Sequence, residues 1–210
     1  MTEAKNRCRL YFQVPVQPSA KLEAQLAQAL DSTGAASVLL CSDASGADEI
    51  CSGRLIDLVQ SRDLACLIEN DISLAERLGA DGVHLAADAK AYQDARAFLG
   101  DSANIGVFCG LNRHDAMSLA ELGADYVAFG SGAEGDIDAI DQSADLIAWW
   151  SEIFVVPCVA WNIDRSGDAA RLAALGADFV APPKTIWRGD DAQRRVAEID
   201  SAIRQARRAA

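Results

Sequence analysis

Apolar and polar residues follow a repeated pattern along this chain, in which an amphipathic stretch ends at a glycine and leads into a short apolar run. Three segments share the pattern, each with Leu-Gly-Ala-Asp at its centre: Leu74–Leu85, Leu119–Phe129 and Leu172–Ala181. A fainter copy spans Gly34–Leu40. Each copy predicts the last turns of a helix, a left-handed glycine that ends it, and a buried strand. The copies therefore mark helix-to-strand junctions, whose glycines (Gly34, Gly79, Gly123 and Gly176) lie 45, 44 and 53 residues apart.

The stretches between these junctions supply a second set of elements. Further strands are predicted at Leu10–Val14, Ala65–Ile68, Asn104–Val107 and Phe154–Ala160, each followed by a helical pattern. Ser19 is expected to cap the first helix. Eight strands alternating with eight helices predict an α/β fold, a single-domain (β/α)8 TIM barrel over residues 1–210. An open, doubly wound sheet is the alternative, but no G-x-G-x-x-G fingerprint follows the first strand.

Composition narrows the class of protein. The 210 residues carry 19 Lys and Arg against 31 Asp and Glu, a formal net charge of −12. Because phosphate contacts to DNA or RNA need clustered cations, nucleic acid is not expected as a partner. No apolar run is long enough to cross a membrane and the polar start lacks a signal-peptide core, so a cytoplasmic location is expected. A homo-oligomer is compatible with the sequence, and the six scattered cysteines are expected to be reduced and packed as small hydrophobes.

Chemistry in such a barrel lies on the loops that follow the strands. Glu69, Asn70 and Asp71 follow the third strand, and Asp88 follows the fourth. Carboxylate oxygens at this end suit Mg²⁺, which usually also binds substrate phosphates. Asp71 and Asp88 are therefore candidate metal ligands and Asn70 a candidate substrate contact. The alternative is that Asp71 and Asp88 only cap the helices that follow them.

The loops after the last two strands are where such barrels often bind phosphate. Pro182 and Pro183 remove two backbone N–H donors there, so a phosphate site would depend on Lys184 and Thr185. Trp161 is expected either to stack on a planar substrate ring or to plug the mouth of the barrel.

Other polar residues are weaker candidates. Cys41 is predicted near the mouth without a nearby cation to activate it, and His84 and His114 are expected to be structural. Residues 130–141 are expected to form an irregular acidic loop.

Specific motifs resemble the thiamine phosphate synthase family, including its thiazole tautomerase-like branch, over nearly the whole chain. The block Leu67-Ile-Glu-Asn70-Asp71, followed by Gly-Ala-Asp-Gly-Val-His84-Leu, is similar to the family's I-I-N-D … G-A-D-G-V-H-L. The resemblance implies joining of hydroxymethylpyrimidine diphosphate to thiazole phosphate with loss of pyrophosphate, with Mg²⁺ held by Asp71. A gapless alignment places Ala89 at the second ligand position, one residue after Asp88.

Other family motifs are replaced. Leu39-Leu-Cys41-Ser-Asp43 stands where the family has Q-L-R-x-K, and Phe108 and Gly110 replace its Ser and His. Asn162-Ile163 replaces Gly-Gly, and Pro183-Lys184 replaces Val-Ser. Three hypotheses follow: a diverged transferase, a catalytically inactive barrel that binds a small molecule or protein, and Schiff-base chemistry at Lys184.

Overall fold

Eight parallel strands close into a barrel in chain order, with β8 pairing β1 through Arg9 opposite Phe179 and Leu10 opposite Val180. The computed structural model describes residues 8–42, 48–133 and 136–206, apart from the side chains of residues 137 and 138. Within those residues the strands are β1 Arg9–Pro15, β2 Ala35–Cys41, β3 Ala65–Glu69, β4 Gly82–Ala86, β5 Asn104–Gly110, β6 Tyr126–Phe129, β7 Cys158–Trp161 and β8 Phe179–Ala181. The predicted (β/α)8 barrel is confirmed, and the open sheet is excluded.

A helix follows each strand. The helices are α1 Ala20–Ser32, α2 Glu49–Gln60, α3 Ile72–Leu78, α4 Ala89–Leu99, α5 Arg113–Glu121, α6 Ile137–Ile153, α7 Ser166–Ala174 and α8 Ala192–Ala206. A short 3₁₀ helix, Lys184–Arg188, precedes α8. In the part of the chain that the structure describes, no helix is long and apolar enough to span a bilayer.

Each strand has one face toward the helices and one toward the barrel axis. In β1, Leu10, Phe12 and Val14 belong to the large core beneath the helices. Tyr11, between them, belongs to a smaller cluster made only of strand residues, which fills the barrel interior. Both faces are buried, so these strands lack the alternation of a half-exposed sheet.

The Gly-Ala-Asp repeat has a structural role at the N-terminal end of the barrel. Gly79, Gly123 and Gly176 have φ values of +68°, +102° and +107°, as predicted for residues that end helices, whereas Gly34 does not adopt a positive φ. Each following aspartate accepts a hydrogen bond from the backbone N–H near the start of the preceding strand. The pairs are Asp81 with Cys66 at 2.7 Å, Asp125 with Ile105 at 2.7 Å and Asp178 with Cys158 at 2.9 Å. We call this contact the aspartate clasp.

The fourth strand pair lacks this aspartate. Residue 36 is alanine, and the carboxylate instead comes from α8, where Asp200 accepts from the Gly34 N–H at 3.0 Å. In the faint fourth copy, a carboxylate from a distant part of the chain therefore binds the glycine N–H, and not an N–H at the start of β1.

Two predicted boundaries were wrong. β7 begins at Cys158 rather than Phe154, because the Phe154 ring stacks on Trp150 with centroids 4.0 Å apart and its N–H ends α6 at the Trp150 carbonyl. The stretch 130–141 is not wholly irregular, since Asp136 caps α6 by accepting from the Ala139 N–H. Asp43 and Glu134 lie outside the described residues.

Candidate active site

The C-terminal ends of the strands surround a cavity of about 190 Å³, which we call the mouth cavity. Its lining residues come from β1, β3, β4, β5 and β7 and from the loops after β6 and β8: Gln13, Glu69, Asn70, His84, Leu85, Ala86, Phe108, Gly132, Trp161, Asn162 and Lys184. Of the candidates taken from the sequence, Asn70, Trp161 and Lys184 line the cavity, whereas Asp71, Asp88 and Thr185 are not among its lining residues.

Gln13, which was not among the candidate residues, organises one side of the mouth cavity. Its side-chain N–H groups donate to Asn162 Oδ1 at 3.0 Å and to the Pro182 carbonyl at 3.1 Å. Asn162 in turn donates to the Ser131 carbonyl at 3.0 Å. These bonds tie together the ends of β1, β7 and β8 and the start of the loop after β6, so this wall is fixed before any ligand arrives.

Lys184 is positioned by the turn that follows β8. Pro182 and Pro183 are buried, and the Trp187 indole N–H donates to the Gln13 carbonyl at 2.7 Å, which fixes the 3₁₀ helix against β1. Lys184 itself is exposed, and Thr185 beside it is half-buried. An exposed ammonium group keeps its hydration, so the structure provides none of the desolvation that would favour Schiff-base chemistry.

Glu69 faces Lys184 across the mouth. Burial raises the pKa of the Glu69 carboxyl, and the Lys184 ammonium partly offsets this. Burial, reinforced by the Glu69 charge, also raises the pKa of the neighbouring Cys41 thiol far above its usual range. Cys41 therefore remains a protonated thiol, and none of the six cysteines forms a disulfide.

Asn70 and the two candidate metal ligands have clear local roles. Asn70 adopts a φ of +54°, donates its N–H to the His84 carbonyl at 3.0 Å and accepts from the Ala86 N–H at 3.1 Å. Asp71 caps α3 by accepting from the Leu74 N–H at 2.8 Å, and Asp88 caps α4 by accepting from the Ala91 N–H at 2.7 Å.

Both aspartate caps use Oδ1 alone, which leaves the second oxygen of each carboxylate exposed at the ends of adjacent strands. Among the described residues, no three His, Cys, Asp or Glu side chains are grouped as a metal-binding cluster.

The floor of the mouth cavity is aromatic. Trp161 is 7 % exposed and lies flat on His84, with ring centroids 4.7 Å apart and an interplanar angle of 11°. Trp161 therefore plugs the mouth, one of its two expected roles. Phe108 lies on its other flank at 5.6 Å. The cavity thus combines flat apolar walls with a rim of polar and charged groups, the usual composition of a site for a small heterocyclic ligand.

Below this floor a hydrogen-bonded chain enters the barrel interior. His84 Nδ1 lies 2.9 Å from the Tyr126 hydroxyl, which lies 2.7 Å from the Tyr11 hydroxyl. His84 Nε2 is buried and has no hydrogen-bond partner. Burial lowers the pKa of His84 to about 3, so the imidazole is neutral at pH 7.

A second cavity of about 210 Å³ lies on the other side of Trp161, between the loops after β6 and β7. Its carboxylates Asp164 and Asp168 are paired with Arg195 and Arg165. Asp136 also lines this cavity, so three carboxylates outnumber Arg165 in the lining and the cavity adds no net positive charge beside the mouth.

Comparison with known proteins identifies the family. A family model described as thiamine monophosphate synthase matches residues 10–186. The chain belongs to the thiamine monophosphate synthase family. It is 35 % identical to the thiamine-phosphate synthase of Erythrobacter litoralis over 91 % of this chain and 93 % of the relative, and 38 % identical to that of Rhodospirillum centenum over 86 % and 89 %.

A solved structure supports the fold. The thiamine phosphate pyrophosphorylase of Pyrococcus furiosus superposes with a TM-score of 0.76, covering 96 % of this chain and 98 % of that one at 19 % identity.

Several residues at the mouth cavity differ from those that the thiamine monophosphate synthase family has at the same positions. Asn162, at the first position of the family's Gly-Gly, has a φ of +59°, which asparagine tolerates better than most other non-glycine residues. The backbone shape at this loop therefore survives the loss of glycine, while the amide side chain now bonds Gln13. Cys41, at the family's arginine position, is buried and uncharged. Lys184 is the basic side chain among the described residues that line the mouth cavity.

Proposed function

We propose that this chain is a thiamine phosphate synthase-type transferase that joins hydroxymethylpyrimidine diphosphate to thiazole phosphate. The observation that carries the proposal is the mouth cavity, where an aromatic floor suited to a heterocycle lies beside the basic side chain of Lys184. In the reaction the bond between the pyrimidine methylene carbon and the diphosphate oxygen breaks, and pyrophosphate leaves with the electron pair. The thiazole nitrogen lone pair forms the new bond to that carbon.

The residues at the rim have distinct roles in this proposal. Lys184 contacts the phosphate groups, with Thr185 as a hydroxyl donor on the same turn. Asn70 contacts the substrate from the end of β3, and Trp161 provides a flat surface for a ring. Replacement of the family's cations by Cys41 and Asp43 leaves fewer positive charges for the anionic substrates, so we expect weaker substrate binding than in relatives that keep them.

Mg²⁺ fits the residues present. Asp71 and Asp88 would each offer the carboxylate oxygen that capping leaves free, the type of ligand that Mg²⁺ prefers. When bound, the ion would neutralise charge on the leaving pyrophosphate. We place the reaction in the cytoplasm, where the six cysteines, none of which forms a disulfide, stay reduced.

The test is product formation from both substrates with Mg²⁺ and after chelation. We expect turnover that depends on Mg²⁺, and a rise in KM of about tenfold in Lys184→Gln from loss of a charge-assisted contact. Lys21→Gln is the matched control, because the exposed Lys21 pairs with Asp190 and neither residue lines the mouth cavity. Absence of product at high enzyme concentration would contradict the proposal.

A non-catalytic binding barrel is the second candidate. The observation that favours it is the Trp161 and His84 stack, which fills the centre of the mouth. Thermal shift separates the two readings: stabilisation by pyrophosphate or the pyrimidine diphosphate without any turnover supports a binding role.

A further inference from the structure

The buried imidazole of His84 has one nitrogen bonded and one open. Its Nδ1 lies 2.9 Å from the Tyr126 hydroxyl, and its Nε2 lacks a partner although His84 is 2 % exposed and lines the mouth cavity. A buried polar atom without a hydrogen bond is unfavourable, so such an atom beside a cavity points to a ligand group that completes it.

The direction of the hydrogen bonds determines what Nε2 offers. A neutral imidazole carries one N–H and one acceptor nitrogen. If His84 Nδ1 donated to Tyr126, Tyr126 would donate to Tyr11, and the Tyr11 proton would have no acceptor among the described residues. In the opposite direction Tyr11 donates to Tyr126 and Tyr126 donates to Nδ1, which satisfies both hydroxyl protons. This arrangement places the imidazole proton on Nε2.

The surroundings of His84 favour this arrangement and hold the ring in place. Trp161 covers one face of the imidazole, and the Tyr126 ring is nearly parallel to it, with centroids 5.6 Å apart and an interplanar angle of 12°. Gly106 makes room for the Tyr126 ring, because a Cβ at that position would lie 1.8 Å from Tyr126 Cζ. The imidazole is thus locked in orientation by its neighbours.

We propose that His84 Nε2–H is the donor that recognises a ring nitrogen of the substrate heterocycle, with Tyr126 and Tyr11 fixing the imidazole tautomer. This inference rests on the proposed function for the identity of the heterocycle. The ligand class is a planar ring with an in-plane nitrogen lone pair, as in a pyrimidine. A carbocyclic ring of the same shape would leave the N–H unpaired and bind less well.

The wild-type protein allows a direct test, because the chain has only two histidines and His114 is exposed at the start of α5. The probe is 4-amino-5-hydroxymethyl-2-methylpyrimidine, without its diphosphate, added to protein with ¹⁵N-labelled histidine. We expect His84 to be protonated at Nε2 in the free protein, and the Nε2 signal to shift when the probe binds, while His114 signals stay unchanged. His114→Gln assigns the spectrum.

Two variants extend the test to affinity. His84→Phe keeps a ring beneath Trp161 and removes the donor, and we expect it to weaken probe binding about tenfold. Tyr126→Phe keeps His84 but removes the hydroxyl that bonds Nδ1. The imidazole proton is then no longer restricted to Nε2, so the spectrum should show both tautomers. The matched ligand is the phenyl analogue of the probe, which should bind wild type and His84→Phe equally.

The outcomes separate this inference from the proposed transferase. Probe binding that leaves the Nε2 signal unchanged overturns it, as does His84→Phe binding the probe as tightly as wild type or a free protein with the proton on Nδ1. Failure of the probe to bind at millimolar concentration also overturns it, even if the enzyme turns over. A shifted Nε2 signal without turnover supports His84 recognition and contradicts only the transferase proposal.

Discussion

The Trp161 indole covers the imidazole of His84 in a nearly parallel stack, with ring centroids 4.7 Å apart. Both rings line the mouth cavity, and His84 continues from there into the hydrogen-bonded chain with Tyr126 and Tyr11 inside the barrel. The stack brings together the ends of β7 and β4, which are not adjacent in the barrel. Because His84 is buried and neutral, the contact also connects the stability of the fold to pH.

Stability should fall as the solution becomes mildly acidic. Burial lowers the pKa of His84 from 6.5 to about 3, so below pH 6.5 the unfolded chain takes up a proton that the folded protein does not. The contribution of neutral His84 is fully present above pH 6.5 and is lost progressively toward pH 3. We expect a loss of about 2 kcal/mol between pH 7.5 and pH 5, measured by urea unfolding.

Urea unfolding of two variants over the same pH range identifies the group that causes the pH dependence of stability. His84→Phe should remove that part of the pH dependence, and His114→Gln should retain it. An equal slope in wild type and His84→Phe would mean that other groups cause the effect.

Two glycine substitutions should have opposite effects on stability. Gly106→Ala places a methyl group 1.8 Å from the Tyr126 ring, and the required shift should cost about 1–3 kcal/mol or more. Gly53→Ala, within α2, meets no heavy atom within 4 Å and should stabilise by about 0.5–1 kcal/mol. Thermal unfolding of both variants provides the comparison, and a stable Gly106→Ala would show that Tyr126 can move.

The aspartate clasp should contribute measurably to stability. Asp81→Ala leaves the Cys66 N–H without its 2.7 Å acceptor and should lower the free energy of unfolding by about 1–3 kcal/mol. Asp94→Ala, which breaks only the exposed pair with Lys90, should change it by less than about 0.5 kcal/mol. Equal effects in urea unfolding would argue against a special role for the clasp.

Capping and metal binding by Asp71 can be separated. Asp71→Asn keeps an oxygen that can accept from the Leu74 N–H, so stability should hold, while Mg²⁺-dependent turnover should fall strongly. Asp71→Ala should lose both turnover and about 1 kcal/mol of stability. Ser19→Ala, which removes the cap of α1, should lose similar stability and keep the response to Mg²⁺. Full activity in Asp71→Asn would exclude Asp71 as a metal ligand.

The fold was predictable because the junction pattern depends on local chemistry. The glycine that ends a helix and the apolar strand after it are adjacent in the sequence, and the same pattern occurs three times. Each copy therefore supports the helix-to-strand junction predicted from the others. The boundary of β7 was not predictable in the same way. Phe154 and Val156 read as strand by apolarity, but Phe154 stacks on Trp150, and Val156 accepts the Trp150 indole N–H at 2.7 Å.

The candidate site was only partly visible in the sequence. Three of the lining residues were predicted from the sequence, because each is a polar or bulky residue at the end of a predicted strand: Asn70, Lys184 and Trp161. Gln13, Tyr11 and Tyr126 were not predicted, because they lie within strands whose two faces are both buried. Knowing that Leu10, Phe12 and Val14 face the helices would have assigned Tyr11 and Gln13 to the interior. Apolarity alone does not show which residues of a buried strand face the helices and which face the barrel interior.

The three aspartate clasps each join the starts of two neighbouring strands, at the end of the barrel opposite the mouth. None of the three clasps uses a residue that lines the mouth cavity. Arginine, glycine and serine positions of the family motifs can therefore change without loosening the closure of the strands. A barrel fastened in this way can lose or exchange a substrate while remaining folded, which leaves its mouth open to selection for a new one.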